Sequence, residues 1–172
     1  MSIVIKKYDS VFVGGFAKEK KRLENLIVGS DYSIHHVGST AVSGLDGKNI
    51  IDILISVKSI QELVYIKTIL TDNGYFEGSQ SNNEGYIFLA SRKEETKEGD
   101  IHIHLALKGT RLHDDFLILR DYLKSNNDET LLYSAAKHIF AKRANNNRQK
   151  YKQYKSEYVD KLINRARAWY ED

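Results

Sequence analysis

One acid and two imidazoles stand out, because each interrupts a run that is otherwise apolar. "IIDILISV" (residues 50–57) reads as a buried strand with a single charge, Asp52. A charge in such a run needs a partner, since an unpaired buried carboxylate is strongly disfavoured. Residues 52, 54 and 56 fall on one face of a strand. Asp52 therefore reads in two ways: as a divalent-metal ligand facing a cleft, or as a carboxylate paired with a nearby Lys, Arg or backbone N–H. "DIHIHLAL" (residues 100–107) sets His102 and His104 on one strand face and Ile101, Ile103, Leu105 and Leu107 on the other. Two adjacent imidazoles can share a metal, or act as an acid/base and a ligand. Of His35 and His36, alternation lets only one share the cleft face. His113 and His138 fall on helical segments and read as structural.

Upstream of Asp52 lies the small-residue loop Gly38-Ser39-Thr40, with Lys48 between loop and strand. Such loops can hold phosphate oxygens through backbone N–H groups. Three residues alone also suit an ordinary turn, and Lys48 alone suits a solvated surface cation. The C-terminal stretch is basic: residues 137–167 hold ten Lys and Arg against two Asp and Glu. Lysines and arginines there alternate with Tyr151, Tyr154 and Tyr158. That mixture can bind nucleic acid, or the tyrosines can be a packing stripe with the lysines as its wet face.

These residues need elements to position them. Apolar spacing predicts a first helix over residues 15–28, stopped by Gly29. "YSIHHV" and "IIDILISV" predict two strands around the small-residue loop. Ser59 and Glu62 form a capping box that opens a second helix, which ends at Asp72-Asn73-Gly74. "GYIFLASR" and "DIHIHLAL" predict a hairpin linked through residues 93–99. Three helices follow. The first is capped by Asp114 or Asp115, the second follows Asp128 with Leu131, Leu132, Ala135, Ile139 and Phe140, and the third carries the tyrosines. The order predicts an α+β fold, with a core over residues 1–110 and a helical region over 111–172 packed on it.

The bulk numbers agree with this reading and exclude several classes. The 172 residues are 41% hydrophobic and 28% charged, with a net charge of +3; that suits a soluble domain. No apolar run reaches membrane-spanning length, and "MSIVIKKYDS" lacks a secretory pattern. With no cysteine there is neither a disulfide framework nor a thiolate metal site. A cytoplasmic protein with no membrane partner is expected.

The motifs together resemble the GrpB family. "HVGSTAVSGLDGKNIID" is similar to its signature, roughly His-Ile-Gly-Ser-Thr-Ala-Val-Pro-Gly-Leu, two variable residues, then Lys-Pro-Ile-Ile-Asp. "HIHLALKG" and "FLILRDYLKSN" resemble its His-Leu-His strand and its Phe-Arg-Asp-Tyr-Leu helix. Tyr133 with Lys137, and Tyr151 with Lys155, fit its spaced Tyr and Lys positions. The resemblance implies a nucleotidyltransferase-like mixed sheet flanked by helices, with the fold of the DNA polymerase beta palm. It also implies a nucleotide or phosphorylated small molecule as ligand, with metal-dependent nucleotidyl or phosphoryl transfer. Gly38, Ser39, Thr40, Lys48, Arg120, Lys137 and Lys155 would hold phosphate, and Asp52, His102 and His104 would hold a divalent metal (Mg, Mn or Zn) or move protons. This chain departs from the superfamily pattern at Leu54, where a second acid is expected, and at His102 and His104, where a carboxylate is expected. Ser43 and Asn49 replace prolines. Glu84 is a spare carboxylate. A mixed Asp/His/His set favours a borderline metal over Mg. The alternatives are a non-catalytic nucleotide-binding or regulatory module, and an RNA-binding protein using the basic helices.

Overall fold

The computed structural model describes residues 3–81, 85–91 and 100–171. In chain order the elements are α1 (Val11–Leu26), β1 (Tyr32–Val37), a short 3-10 turn (Ser39–Ala41), β2 (Ile51–Val57), α2 (Ile60–Asp72), β3 (Tyr75–Glu77), β4 (Tyr86–Ser91), β5 (Ile101–Leu107), α3 (Arg111–Ser125), α4 (Asn127–Ala144) and α5 (Arg148–Glu171). The five strands form one mixed sheet in the order β1-β2-β5-β4-β3. Among the described residues, only β2 and β5 pair in parallel. This is the expected α+β class.

Strand alternation divides the sheet into two unlike faces. Ile53, Ile55 and Val57 of β2 join Ile103 and Leu105 of β5 on one face. There they meet Leu23 and Ile27 from the α1 side and Leu63, Ile66 and Leu70 of α2 in the main core. Gly15 lets α1 come down onto β2, since a β-carbon there would stand 2.8 Å from Ile51 Cδ1. The opposite face carries Asp52, Leu54 and Ser56 beside His102, His104 and Ala106. Leu54, Val37, Tyr86, Phe88 and Ala106 form a smaller core there, against Phe116 and Leu117 of α3. A third cluster, with Tyr122, Tyr133 and Leu162, ties α3, α4 and α5 to Val42 and Leu45 of the loop before β2.

Local signals account for most boundaries. Ser59 and Glu62 make the complete capping box at the start of α2, an arrangement worth about 1 kcal/mol. Four expectations are corrected. Helix α1 starts at Val11, not residue 15, because Gly14 and Gly15 are carried inside it. The cap of α3 is Thr110, whose hydroxyl accepts from His113 N–H. Asp114 instead bonds the His113 ring, and Asp115 pairs with Arg167. Strand β3 was not expected; its three residues are too few to show alternation. Finally, α4 turns Leu131, Leu132 and Ile139 outward and buries Thr130, Tyr133, Ser134 and Lys137. The β4–β5 pairing is antiparallel as expected. Residues 93–99 and Glu84 lie outside the described residues.

Candidate active site

Asp52 enters β2 one residue after the strand begins, directly opposite Val37 of β1 and His102 of β5. The turn at Gly38 folds back over it. Gly38 has φ +70°, and a β-carbon there would stand 2.4 Å from Asp52 Oδ2. Only glycine lets the loop backbone approach the carboxylate this closely. The two imidazoles reach it from β5: His102 Nδ1 and His104 Nε2 each lie 3.3 Å from Asp52 Oδ1. The Tyr86 hydroxyl lies 2.8 Å from His104 Nδ1 and fixes that ring from the far side.

Burial tends to raise the Asp52 pKa, but hydrogen bonds from His102 and His104 outweigh it and hold the carboxyl well below its usual range. Asp52 is thus an anion supported by two imidazoles. Position 54, two residues on, points the same way but is a fully buried leucine packed between Val37 and Tyr86. Among the described residues, no second strand carboxylate stands beside Asp52.

The small-residue loop meets the helical region on its other side. A β-carbon on Gly47 would stand 2.4 Å from Ser39 Oγ and 3.7 Å from Lys137 Nζ. Gly47 therefore brings the Ser39 hydroxyl and the Lys137 amine to one point. Lys137 is 3% exposed, donates to the Asp46 carbonyl at 2.7 Å, and sits 4.4 Å above the Tyr133 ring. Burial, helped by the nearby charge of Lys155, lowers its pKa to about 7; Asp52 and Asp46 act in the opposite direction. Ser134 of α4 holds the loop in register, with its hydroxyl accepting from Asp46 N–H at 2.8 Å and donating to the Gly44 carbonyl at 3.2 Å.

The other expected residues are placed as follows. Thr40 is buried, and its hydroxyl meets His36 Nε2 at 2.9 Å, inside the turn. Lys48 lies over the Tyr151 ring at 5.3 Å, beside α5. Lys155 is exposed on α5 and reaches the site through its charge. Arg120 grips Asp121 and contacts the His36 carbonyl at 3.4 Å, two residues before Gly38. His35 shares the Asp52 face by register but contacts Ser33 Oγ at 3.1 Å, while His36 stacks on Phe16 across the sheet. His113, read as structural, is buried between Ser56 Oγ at 2.8 Å and Asp114 Oδ1 at 2.7 Å, anchoring α3 to β2. Tyr86, Asp46, Gly47 and Ser134 were not singled out from sequence. Tyr86 alternates with Phe88 and Ala90, which marked its face, but its pairing with His104 depends on the β4–β5 register.

The donor set of one carboxylate and two imidazoles suits a borderline divalent cation in its chemistry. In the arrangement seen, both imidazoles are turned onto one carboxylate oxygen. Among the described residues, no group of three or more His, Asp or Glu side chains is set out to hold a metal ion.

Comparison with known proteins decides the family. The GrpB protein family model matches residues 2–165. The chain belongs to the GrpB family. A UPF0157 protein of Halalkalibacterium halodurans is 32% identical over 168 residues, spanning 97% of this chain and 84% of its own. A UPF0157 protein of Pseudomonas aeruginosa is 31% identical over 153 residues, spanning 89% of this chain and 63% of the relative. Conserved protein GrpB from Enterococcus faecalis superimposes with a TM-score of 0.85 at 24% identity, covering 98% of this chain and 100% of that one. The Cid1 poly(U) polymerase, in its MgGTP-bound crystal structure, superimposes with a TM-score of 0.55 at 21% identity, covering 81% of this chain but 45% of the polymerase. This GrpB protein therefore has a nucleotidyltransferase-like fold. No helix among its described residues is long and apolar enough to cross a membrane.

Proposed function

We propose that the site formed by Asp52, the Gly38-Ser39 turn and Lys137 binds a nucleotide or another phosphorylated small molecule. One observation carries this reading: the Gly38-Ser39 turn lies between the Asp52 carboxylate on one side and the buried Lys137 amine on the other. The Ser39 hydroxyl and the Lys137 ammonium supply donors for phosphate oxygens. Lys48 and Lys155 extend the positive field along α5. Asp52 needs a cation to accept a phosphate beside it, since two anions repel. Asp52, His102 and His104 would hold that divalent ion, with Zn or Mn suiting the imidazoles better than Mg. When bound, such an ion would neutralise phosphate charge and polarise the phosphoryl group. Tyr86 would keep the His104 ring in place.

Leu54 favours binding without transfer. In-line transfer with two ions needs shared carboxylates, and Asp52 has no second acid beside it on β2. The protein is therefore read first as a nucleotide-binding module and second as a transferase. RNA binding through the basic helices has less support, because Arg165 and Arg167 are engaged by Glu129 and Asp115.

The test is a thermal-shift panel of nucleoside triphosphates, each with Mg, Mn or Zn, on the wild type and Asp52→Ala. Ligand binding raises the melting temperature by mass action. Metal-dependent shifts in the wild type that disappear in Asp52→Ala support the reading. Shifts of equal size in the variant, or none in the wild type, reject it. Pyrophosphate release with candidate acceptors separates a transferase from a binder.

A further inference from the structure

Helix α4 is inverted relative to the usual amphipathic pattern. Its inner face buries Thr130, Ser134 and Lys137, groups that serve the site and the α3–α4 junction. Its outer face leaves Leu131, Leu132 and Ile139 at 54%, 59% and 53% exposed. These three join none of the apolar clusters formed by the described residues. Helix α4 packs on α3 and α5 by its other sides. An apolar stripe kept in water along a helix marks an interaction surface.

The stripe also has a symmetry. Leu131, Ala135 and Ile139 are spaced four apart along one line of the helix. Leu132 and His138 lie three residues on either side of Ala135, and Asp128 and Lys142 lie seven on either side. The seven-residue repeat keeps Asp128, Ala135 and Lys142 on one seam, the spacing two helices need to pack at a shallow angle. All seven of these residues are exposed, His138 also bonding Asp46 Oδ2 at 2.9 Å.

We propose that this face binds a second copy of the chain, the two α4 helices packing antiparallel about a two-fold axis through Ala135. In that arrangement a residue before the axis meets the residue equally far after it. Leu131 meets the partner's Ile139, and the small Ala135 side chains meet each other and let the helices approach. Asp128 meets the partner's Lys142 at both ends, about 21 Å apart. A parallel pairing would set Asp128 against itself and Lys142 against itself, so charge selects the antiparallel form. An isologous contact of this kind closes on itself and stops at a dimer. One helix pair buries less than a standard interface, so the dimer is reversible and concentration-dependent.

The test is sedimentation velocity at low salt, from micromolar to near-millimolar protein. The wild type is expected to pass from monomer to dimer across that range, and Leu131→Glu to remain monomeric with an unchanged circular-dichroism spectrum. Asp128→Lys and Lys142→Asp should each weaken association by about tenfold or more. The double variant Asp128→Lys/Lys142→Asp should recover it, a result that loss of folding cannot produce. The proposal is overturned if the wild type is monomeric throughout, if the dimer survives Leu131→Glu, or if the double variant fails to recover association.

Discussion

Gly38 lies so close to Asp52 that a β-carbon on the glycine would stand 2.4 Å from the carboxylate oxygen. The loop and the acid are therefore one unit, and each limits what the other can be.

Substitution at Gly38 tests that unit. Alanine there meets both a positive φ of +70° and the carboxylate itself. Gly44 has a similar φ of +79° with open space around its would-be β-carbon. Backbone strain alone costs about 1 kcal/mol, and forced repacking adds about 2 kcal/mol. Urea unfolding should show Gly38→Ala destabilised by about 3 kcal/mol and Gly44→Ala by about 1 kcal/mol. Equal losses would show that the carboxylate does not constrain the loop.

Leu54 occupies the position of the missing acid, and it cannot simply be restored. Its side chain is fully buried among Val37, Tyr86 and Phe88. Leu54→Asp would place a charge between His35 and His104, its register neighbours, whose rings already contact Ser33 and, for His104, Tyr86 and Asp52. The expected loss is about 3–5 kcal/mol, read from denaturant unfolding. A variant as stable as the wild type would mean that the position can reach solvent or the His104 ring.

His36 makes the fold sensitive to mild acid. Burial lowers its pKa to about 4, partly offset by the Asp52 charge, while Lys124 and Arg120 lower it further. The unfolded chain binds that proton nearer 6.5, so between the two values the unfolded state holds more protons. Stability should therefore fall as pH drops from about 6.5 to about 4. His35, also lowered by burial, adds to the same slope. His36→Gln should flatten part of the stability-against-pH curve; an unchanged slope would exclude His36 as a source.

Lys137 acts in the same direction over a higher pH range. Its pKa of about 7, set by burial and then by Lys155, lies below its ordinary value of 10.5. The unfolded state binds more protons between those values, so Lys137 contributes a stability that rises with pH across that range. Ligand binding runs the other way, because a phosphate favours the ammonium form. Affinity for a phosphorylated ligand should weaken as pH rises through about 7, with proton uptake on binding. Calorimetry in buffers of different ionisation enthalpy measures that uptake, and Lys137→Met should abolish it. Proton uptake unchanged in Lys137→Met would place the phosphate elsewhere.

Much of this was legible in the residues. Alternation placed His102 and His104 on one face of their strand, because a strand leaves no other choice once Ile103 and Leu105 take the core; that Asp52 shares that face comes from the β2–β5 register. The Ser59 capping box was readable because both of its partners lie within one turn. What stayed hidden depends on contacts between distant segments. The burial of Lys137 comes from the loop at residues 44–47, some ninety positions earlier in the chain. Helix α4 misled because its leucines suggested the inward side, while its hydroxyls and amine are held inside by that loop and by α3. Tyr86 became a partner of His104 only through strand register.

The most direct test of the central claim is calorimetric titration of a nucleoside triphosphate, with and without Mn or Zn, into the wild type and Asp52→Asn. Asparagine keeps the shape of the side chain beside Gly38 and removes its charge. The account predicts saturable, cation-dependent binding in the wild type and loss of the cation dependence in Asp52→Asn. Binding that ignores the cation, or that survives unchanged in Asp52→Asn, would contradict it.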